Sequence, residues 1–167
     1  MKRILSVIVV LYTLFACNTK SETKAQFDQL SIFNTTVDSL FNNSIEKPLA
    51  YIVLPNAGCS GCISSAEKLL FEYVIDTIPV KFILTNISSY KALRNTLGDS
   101  ILLNPLVYAD KSNLFYNKFS QLYKIYPIIF YTDNTKNANH FEYVNPDNPD
   151  AIEKLKKYID SSMNTFK

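Results

Sequence analysis

A central mixed β-sheet flanked by helices, an α/β fold, is predicted by three features of this 167-residue chain. Short apolar runs bounded by turn formers alternate with stretches whose apolar residues recur every three or four positions. Such alternation of strand and helix signals is the pattern of parallel crossovers. A late cluster of turn residues then adds an antiparallel hairpin, and a last amphipathic stretch closes the order.

The amino terminus stands apart. Lys2 and Arg3 precede an apolar run from Ile4 to Phe15, then Ala16 and Cys17, and the chain turns polar at Asn18. That is the layout of a secretory signal peptide, and the run is shorter than the roughly 20 residues a spanning helix needs. Leu14-Phe15-Ala16-Cys17 resembles the bacterial lipobox, which implies cleavage before Cys17 and acylation of its thiol. An ordinary signal peptide with a chance cysteine is the alternative. Two or three acyl chains, at roughly 0.8 kcal/mol per buried methylene, would make the attachment effectively permanent.

Residues 1–16 are then a lipoprotein signal peptide and residues 17–25 a lipidated tether, polar and without apolar periodicity. The resemblance implies an extracytoplasmic protein of the bacterial cell envelope, anchored to a membrane through Cys17. Asn18 is not the aspartate that retains enterobacterial lipoproteins at the inner membrane, so the outer membrane is favoured. Loss of Lys2 and Arg3 leaves 15 of 17 basic side chains against 15 acidic ones, so the net charge of +2 belongs to the leader. A neutral domain without a basic cluster argues against nucleic acid as a partner.

Residues 26–44 are expected to form an N-terminal amphipathic helical extension. Phe27, Leu30, Phe33 or Asn34, Val37, Leu40 and Phe41 recur there at nearly helical spacing. Its polar face lacks Lys and Arg, which favours covering the core over lying on a membrane. From 45 to 167 a single domain is expected. Leu49 to Leu54, between Pro48 and Pro55, reads as a strand buried on both faces. The loop Pro55-Asn56-Ala57-Gly58 leads into Cys59. Ile63, Ala66, Leu69, Leu70, Tyr73 and Val74 then define a helix with the cysteines in its first turn.

Val80 to Leu84 is the second strand. Ser88 starts a short helix with Leu93 and Leu97 inward, which Gly98 ends. Leu106 to Ala109 is the third strand, followed by a helical stretch around Leu114, Phe115, Phe119 and Leu122. Pro127 precedes a fourth strand, Ile128 to Thr132. Asp133-Asn134-Thr135-Lys136-Asn137 is rich in turn formers and Phe141 and Tyr143 alternate beyond it, so a hairpin is expected. Asn148 is placed as an N-cap, Pro149 at the first helical position and Asp150 in an acidic first turn. Ile152, Leu155, Tyr158 and Ile159 mark the buried stripe of the closing helix.

Of three cysteines, lipid on Cys17 leaves two. Export places them where disulfides persist, yet one pair two residues apart closes too short a loop to constrain the unfolded chain much. Redox chemistry explains the pair better than stability does. The attacking species in disulfide exchange is a thiolate. Cys59, where a loop enters a helix, would face unsatisfied N–H groups and the positive end of the helix dipole. It is the expected nucleophile, and Cys62, nearly one turn later and less exposed, the expected resolving thiol. Gly58, Ser60 and Gly61 are small and would let a partner strand approach the sulfur.

Leu49 to Leu70, with Cys59-Ser60-Gly61-Cys62 between a buried strand and a helix, resembles the thioredoxin superfamily, and the element order extends the resemblance from about Ile45 to the chain end. A membrane-attached, exported member is most similar to the TlpA and ResA type of thiol-disulfide oxidoreductase. The resemblance implies a thioredoxin-like fold and a redox-active Cys59–Cys62 disulfide as the sole reactive group, with no other cofactor. It implies exported protein thiols or disulfides as partners, with a membrane electron donor compatible. It also implies that Tyr126-Pro127 matches the cis-proline loop that offers backbone to a substrate. The chain departs from the family in having Gly58 and Gly61 where Trp and Pro are common, and in having no acid in Tyr51-Ile52-Val53-Leu54.

Rival readings are weaker. A zinc site needs about four ligands, and beyond the pair only His140 remains. Haem attachment needs His after the second cysteine, where Ile63 stands. His140, Asp133 and Asp147 read as solvated loop residues, and Tyr123, Tyr126 and Tyr131 as core and rim. A lipoprotein binding module with thioredoxin fold and a redox-inert disulfide is the alternative from another class.

Overall fold

The structure, a computed structural model, describes residues 26–41, 48–56, 60–123, 126–133 and 137–165. Helix α1 covers residues 26–41. It is followed by β1 (Ala50–Pro55), α2 (Ser60–Ile75), β2 (Val80–Thr85), α3 (Tyr90–Leu97), α4 (Asp99–Leu102) and β3 (Val107–Ala109). Then come α5 (Leu114–Tyr123), β4 (Ile128–Thr132), β5 (Ala138–Tyr143) and α6 (Ala151–Thr165). The strands form one mixed sheet in the order β3-β2-β1-β4-β5. β1, β2 and β3 run parallel, and β4 runs antiparallel to both β1 and β5. The fold is therefore α/β with a five-stranded mixed sheet flanked by helices, as the alternating apolar runs predict.

Strand alternation divides the core in two. Ala50, Ile52, Leu54, Phe82, Leu84, Ile129 and Tyr131 face the side covered by α2, α3, α4 and α6. Tyr51, Val53, Ile83, Ile128 and Phe130 face the side covered by α1 and α5. β1 is buried along its whole length, with β2 on one flank and β4 on the other, so its residues have no polar face to show. α1 presents Phe33 and Val37 to the second core and half-buries Leu30, Leu40 and Phe41 against it. Phe27, expected on that stripe, is 71% exposed. It lies at the first turn of α1, beyond the residues that reach the sheet.

Two polar groups tie α1 down. Asn34 donates from Nδ2 to the Ala138 carbonyl at 3.0 Å and accepts the Ala138 N–H on Oδ1 at 2.7 Å. Its amide thus pairs with the open edge of β5 as a neighbouring peptide would, which also blunts that edge. Thr36 is fully buried; its hydroxyl donates to the Ile32 carbonyl and accepts from Lys118 Nζ at 3.0 Å.

Two helix starts differ from expectation, while Gly98 ends its helix as expected. α3 begins at Tyr90, with Ser89 rather than Ser88 as N-cap accepting the Ala92 N–H. Gly98 ends α3 at φ 79°, a conformation that favours glycine, and the unforeseen single turn α4 follows at once. α6 starts at Ala151, and the Asp150 carbonyl accepts the Lys154 N–H, so Asp150 takes the N-cap place. Asn148 is instead drawn to the β5 end, where its amide donates to Glu142 and to the Tyr143 carbonyl. At the end of α2, Thr77 adopts φ 53° and the Ile78 N–H returns to the Tyr73 carbonyl, closing the helix without a glycine.

Candidate functional site

The carboxyl end of β1 is the candidate place for a site, because the chain leaves β1 toward β2 on one flank and reaches β4 on the other only after β3. Pro55 is opposite Thr85, and the Asn56 N–H donates to the Thr85 carbonyl at 2.9 Å, extending the β1–β2 ladder one step. Four residues later α2 begins at Ser60. Gly58 and Cys59 lie outside the described residues, as do Cys17, the leader, the tether, residues 42–44 of the expected extension and residues 134–136 of the hairpin turn.

Cys62 sits in the first turn of α2, half-buried and packed against the first core. Ser60 and Gly61 are exposed. Among the described residues a Cβ on Gly61 would meet nothing within 4 Å, so no packing there demands glycine. No acidic residue occupies the first turn of α2, which leaves its positive end uncompensated by carboxylate.

The register brings Tyr126-Pro127 to the same edge. Val53 pairs with Ile128, so Pro127 stands one step beyond, beside the point where β1 leaves the sheet. Pro127 is buried and Tyr126 half-buried. Among the described residues no peptide bond is cis, so the Tyr126–Pro127 bond is trans, contrary to expectation. The trans form is favoured by about 0.5–1 kcal/mol before any tertiary contact acts. The Pro127 carbonyl already accepts the Val144 N–H at 2.9 Å, so this backbone continues the β4–β5 hairpin.

Sequence reasoning missed Asp110. It is fully buried at the end of β3, and its carboxylate takes four hydrogen bonds. Oδ2 accepts from the Thr85 hydroxyl at 3.0 Å and the Phe115 N–H at 2.8 Å. Oδ1 accepts from the Ser112 hydroxyl and the Leu114 N–H. An acid four residues before an apolar helical stretch was the available signal, since this is a carboxylate closing the amino end of α5. Thr85 shares its face with Ile83, so the group lies on the α1 and α5 side of the sheet, opposite α2 and Cys62. The carboxylate on the α2 side at this end is Glu67. It borders a pit of about 10 Å³ with Pro55, Leu84 and Leu93, and makes no ion pair among the described residues.

His140 is exposed on β5, stacks on Tyr131 and approaches Glu142 at 3.3 Å. Burial pushes the Glu142 carboxyl up, but hydrogen bonds from Asn148 and His140 and the charge of Lys154 outweigh it and hold the group below its ordinary range. Asp133 and Asp147 are exposed. Tyr131 is buried by α6, its hydroxyl unpartnered among the described residues, and burial pushes its ionisation up. Among the described residues no group of three or more His, Cys, Asp or Glu is arranged to hold a metal, and no helix is long and apolar enough to cross a membrane. Comparison with family models, curated proteins and solved structures yields no match.

Proposed function

We propose that the chain is a thiol-disulfide oxidoreductase of thioredoxin-like fold, lipid-anchored through Cys17 outside the cytoplasm, that exchanges disulfides with exported proteins through Cys59 and Cys62. The observation that carries the reading is the position of Cys62. It is half-buried in the first turn of a helix that follows the central strand, with Cys59 three residues earlier in the sequence. The parallel unit β1-α2-β2, the antiparallel β4–β5 hairpin and the closing α6 support the finer fold assignment. No packing among the described residues requires glycine at Gly61, and its lack of a side chain leaves clearance for a partner there. Tyr126 and Pro127 border the same edge, and their role in holding a client rests on that position, not on a cis bond.

Attack by the Cys59 thiolate on a client disulfide forms one S–S bond and releases one client thiolate. Cys62 then displaces the second, closing the Cys59–Cys62 disulfide and leaving the client reduced; the reverse sequence oxidises a client dithiol. The test is direct. Protein reduced with dithiothreitol should be reoxidised by glutathione disulfide and should reduce insulin, and a measured reduction potential assigns the direction. Inertness in both assays would leave a binding module with a structural disulfide. Mass spectrometry of the mature amino terminus checks acylation at Cys17.

A further inference from the structure

We infer that the groove between α2 and α6 is a docking track for a client segment with an acidic side chain about four residues from its reacting cysteine. The proposal rests on the oxidoreductase reading above. The two helices lie side by side on one face of the sheet, and the groove between them, open to solvent, holds about 400 Å³. Its floor is apolar, made by Leu69 and Ile152, both packed on the core. One end is closed by Lys156, whose Nζ reaches both carboxylate oxygens of Glu72 at 2.9 and 3.0 Å. Seven residues before Leu69, on the same stripe of α2, stands Cys62, so the groove wall leads toward the candidate cysteine pair.

Charge selects the occupant. Glu72 and Lys156 neutralise each other, and Glu153 on the α6 rim is held by Lys157 at 2.7 Å. Lys68 on the α2 rim is exposed and makes no ion pair or hydrogen bond among the described residues. The groove therefore offers one uncompensated positive charge over an apolar floor. Such a surface, too open to enclose a small ligand, suits a peptide with an apolar side chain and a carboxylate. Lys68 is eight residues past Ser60, about 12 Å along the helix axis. An extended chain covers that distance in about four residues.

The experiment uses the full chain, purified in detergent and reduced. Its substrates are disulfide-linked dimers of an unstructured peptide with one cysteine and Asp, Asn or Lys placed four residues before or after it. Each dimer takes two electrons from the protein dithiol and yields two peptide thiols, which are counted against time. The Asp peptide should react about two- to fivefold faster than the Lys peptide at low salt. The gap should close at 1 M salt, where charges are screened beyond about 3 Å. Lys68→Glu should reverse the order. Equal rates for the Asp and Lys peptides at low salt, or an order that Lys68→Glu leaves unchanged, would overturn the docking proposal. Hydroxyethyl disulfide, uncharged and too short to reach the groove, reports the thiol chemistry alone. Failure to react with it sinks the oxidoreductase reading and docking together, whereas reaction without charge preference sinks docking only.

Discussion

Phe33 of α1 stacks on Phe130 of β4 with ring centroids 3.7 Å apart and planes within 6° of parallel. The ring also meets Tyr51 edge-on at 5.4 Å and is 1% exposed. The first helix is thereby part of the core that backs the sheet. Phe33→Ala should cost about 3–5 kcal/mol, because the cavity would be ringed by aromatic side chains that relax poorly. Phe27→Ala, on the same helix, should stay within about 0.5 kcal/mol. Urea unfolding of the two variants separates them, and equal losses would contradict the packing described.

Asp110 closes α5 from a fully buried position, and its removal leaves Thr85 and two backbone N–H groups without their acceptor. Each such orphan costs about 1–3 kcal/mol, so Asp110→Ala should destabilise by at least about 3 kcal/mol. Asp110→Asn keeps one acceptor oxygen and should lose less. Because the group lies across the sheet from α2, Asp110→Asn should leave the alkylation rate of the cysteine pair and its pH dependence unaltered. A shifted thiol titration in that variant would instead make the acid part of the redox site.

Buried tyrosines predict how the fold fails in alkali. Burial, with a smaller contribution from Asp38, pushes Tyr51 up to about 12, and burial, then Glu72 and Asp160, does the same for Tyr73. A tyrosine in the unfolded chain ionises near 10. Above that pH the unfolded chain releases protons that the folded one keeps, so stability falls as pH rises. The contribution is complete below about pH 10 and is lost between 10 and 12, on the order of 1–2 kcal/mol for each tyrosine. The chain has 11 Tyr and no Trp, so absorbance near 295 nm follows ionisation cleanly. Part of that signal should appear together with the loss of helical circular dichroism.

Much of this architecture is legible in the sequence because burial writes itself as periodicity. The run around Tyr51-Ile52-Val53-Leu54 can only be a strand covered on both faces, and Ile63 to Val74 is a helix stripe read correctly residue by residue. Polar residues with tertiary work to do are less legible. Asn148 has the chemistry of an N-cap, but the Glu142 carboxylate and the Tyr143 carbonyl compete for its amide. Thr36 looks like a weak helix former on a surface, yet Lys118 reaches its hydroxyl from α5, 82 residues away. Asp110 reads as one more turn residue until β2 supplies Thr85. That Pro127 stands at the carboxyl end of β1 follows from the Val53–Ile128 register, which local pattern does not specify.

On the proposed oxidoreductase reading, the roles within the cysteine pair rest on where Cys62 lies in α2 and on Cys59 preceding that helix in the sequence. Cys59 is the residue immediately before α2, whose first turn contains no carboxylate to offset the dipole, and Cys62 is half-buried against the core. A thiol at such a helix start should titrate below the ordinary value of about 8.5, and the half-buried one should react more slowly with iodoacetamide. Cys62→Ser should therefore accumulate a mixed disulfide with a client, since attack proceeds while the displacing thiol is gone. Cys59→Ser should accumulate little, because its remaining thiol is shielded. Non-reducing electrophoresis of membranes from cells expressing each variant compares them directly. Equal trapping by the two, or faster alkylation of Cys62 than of Cys59 in the single-cysteine forms, would reverse the assignment and place the nucleophile inside the helix.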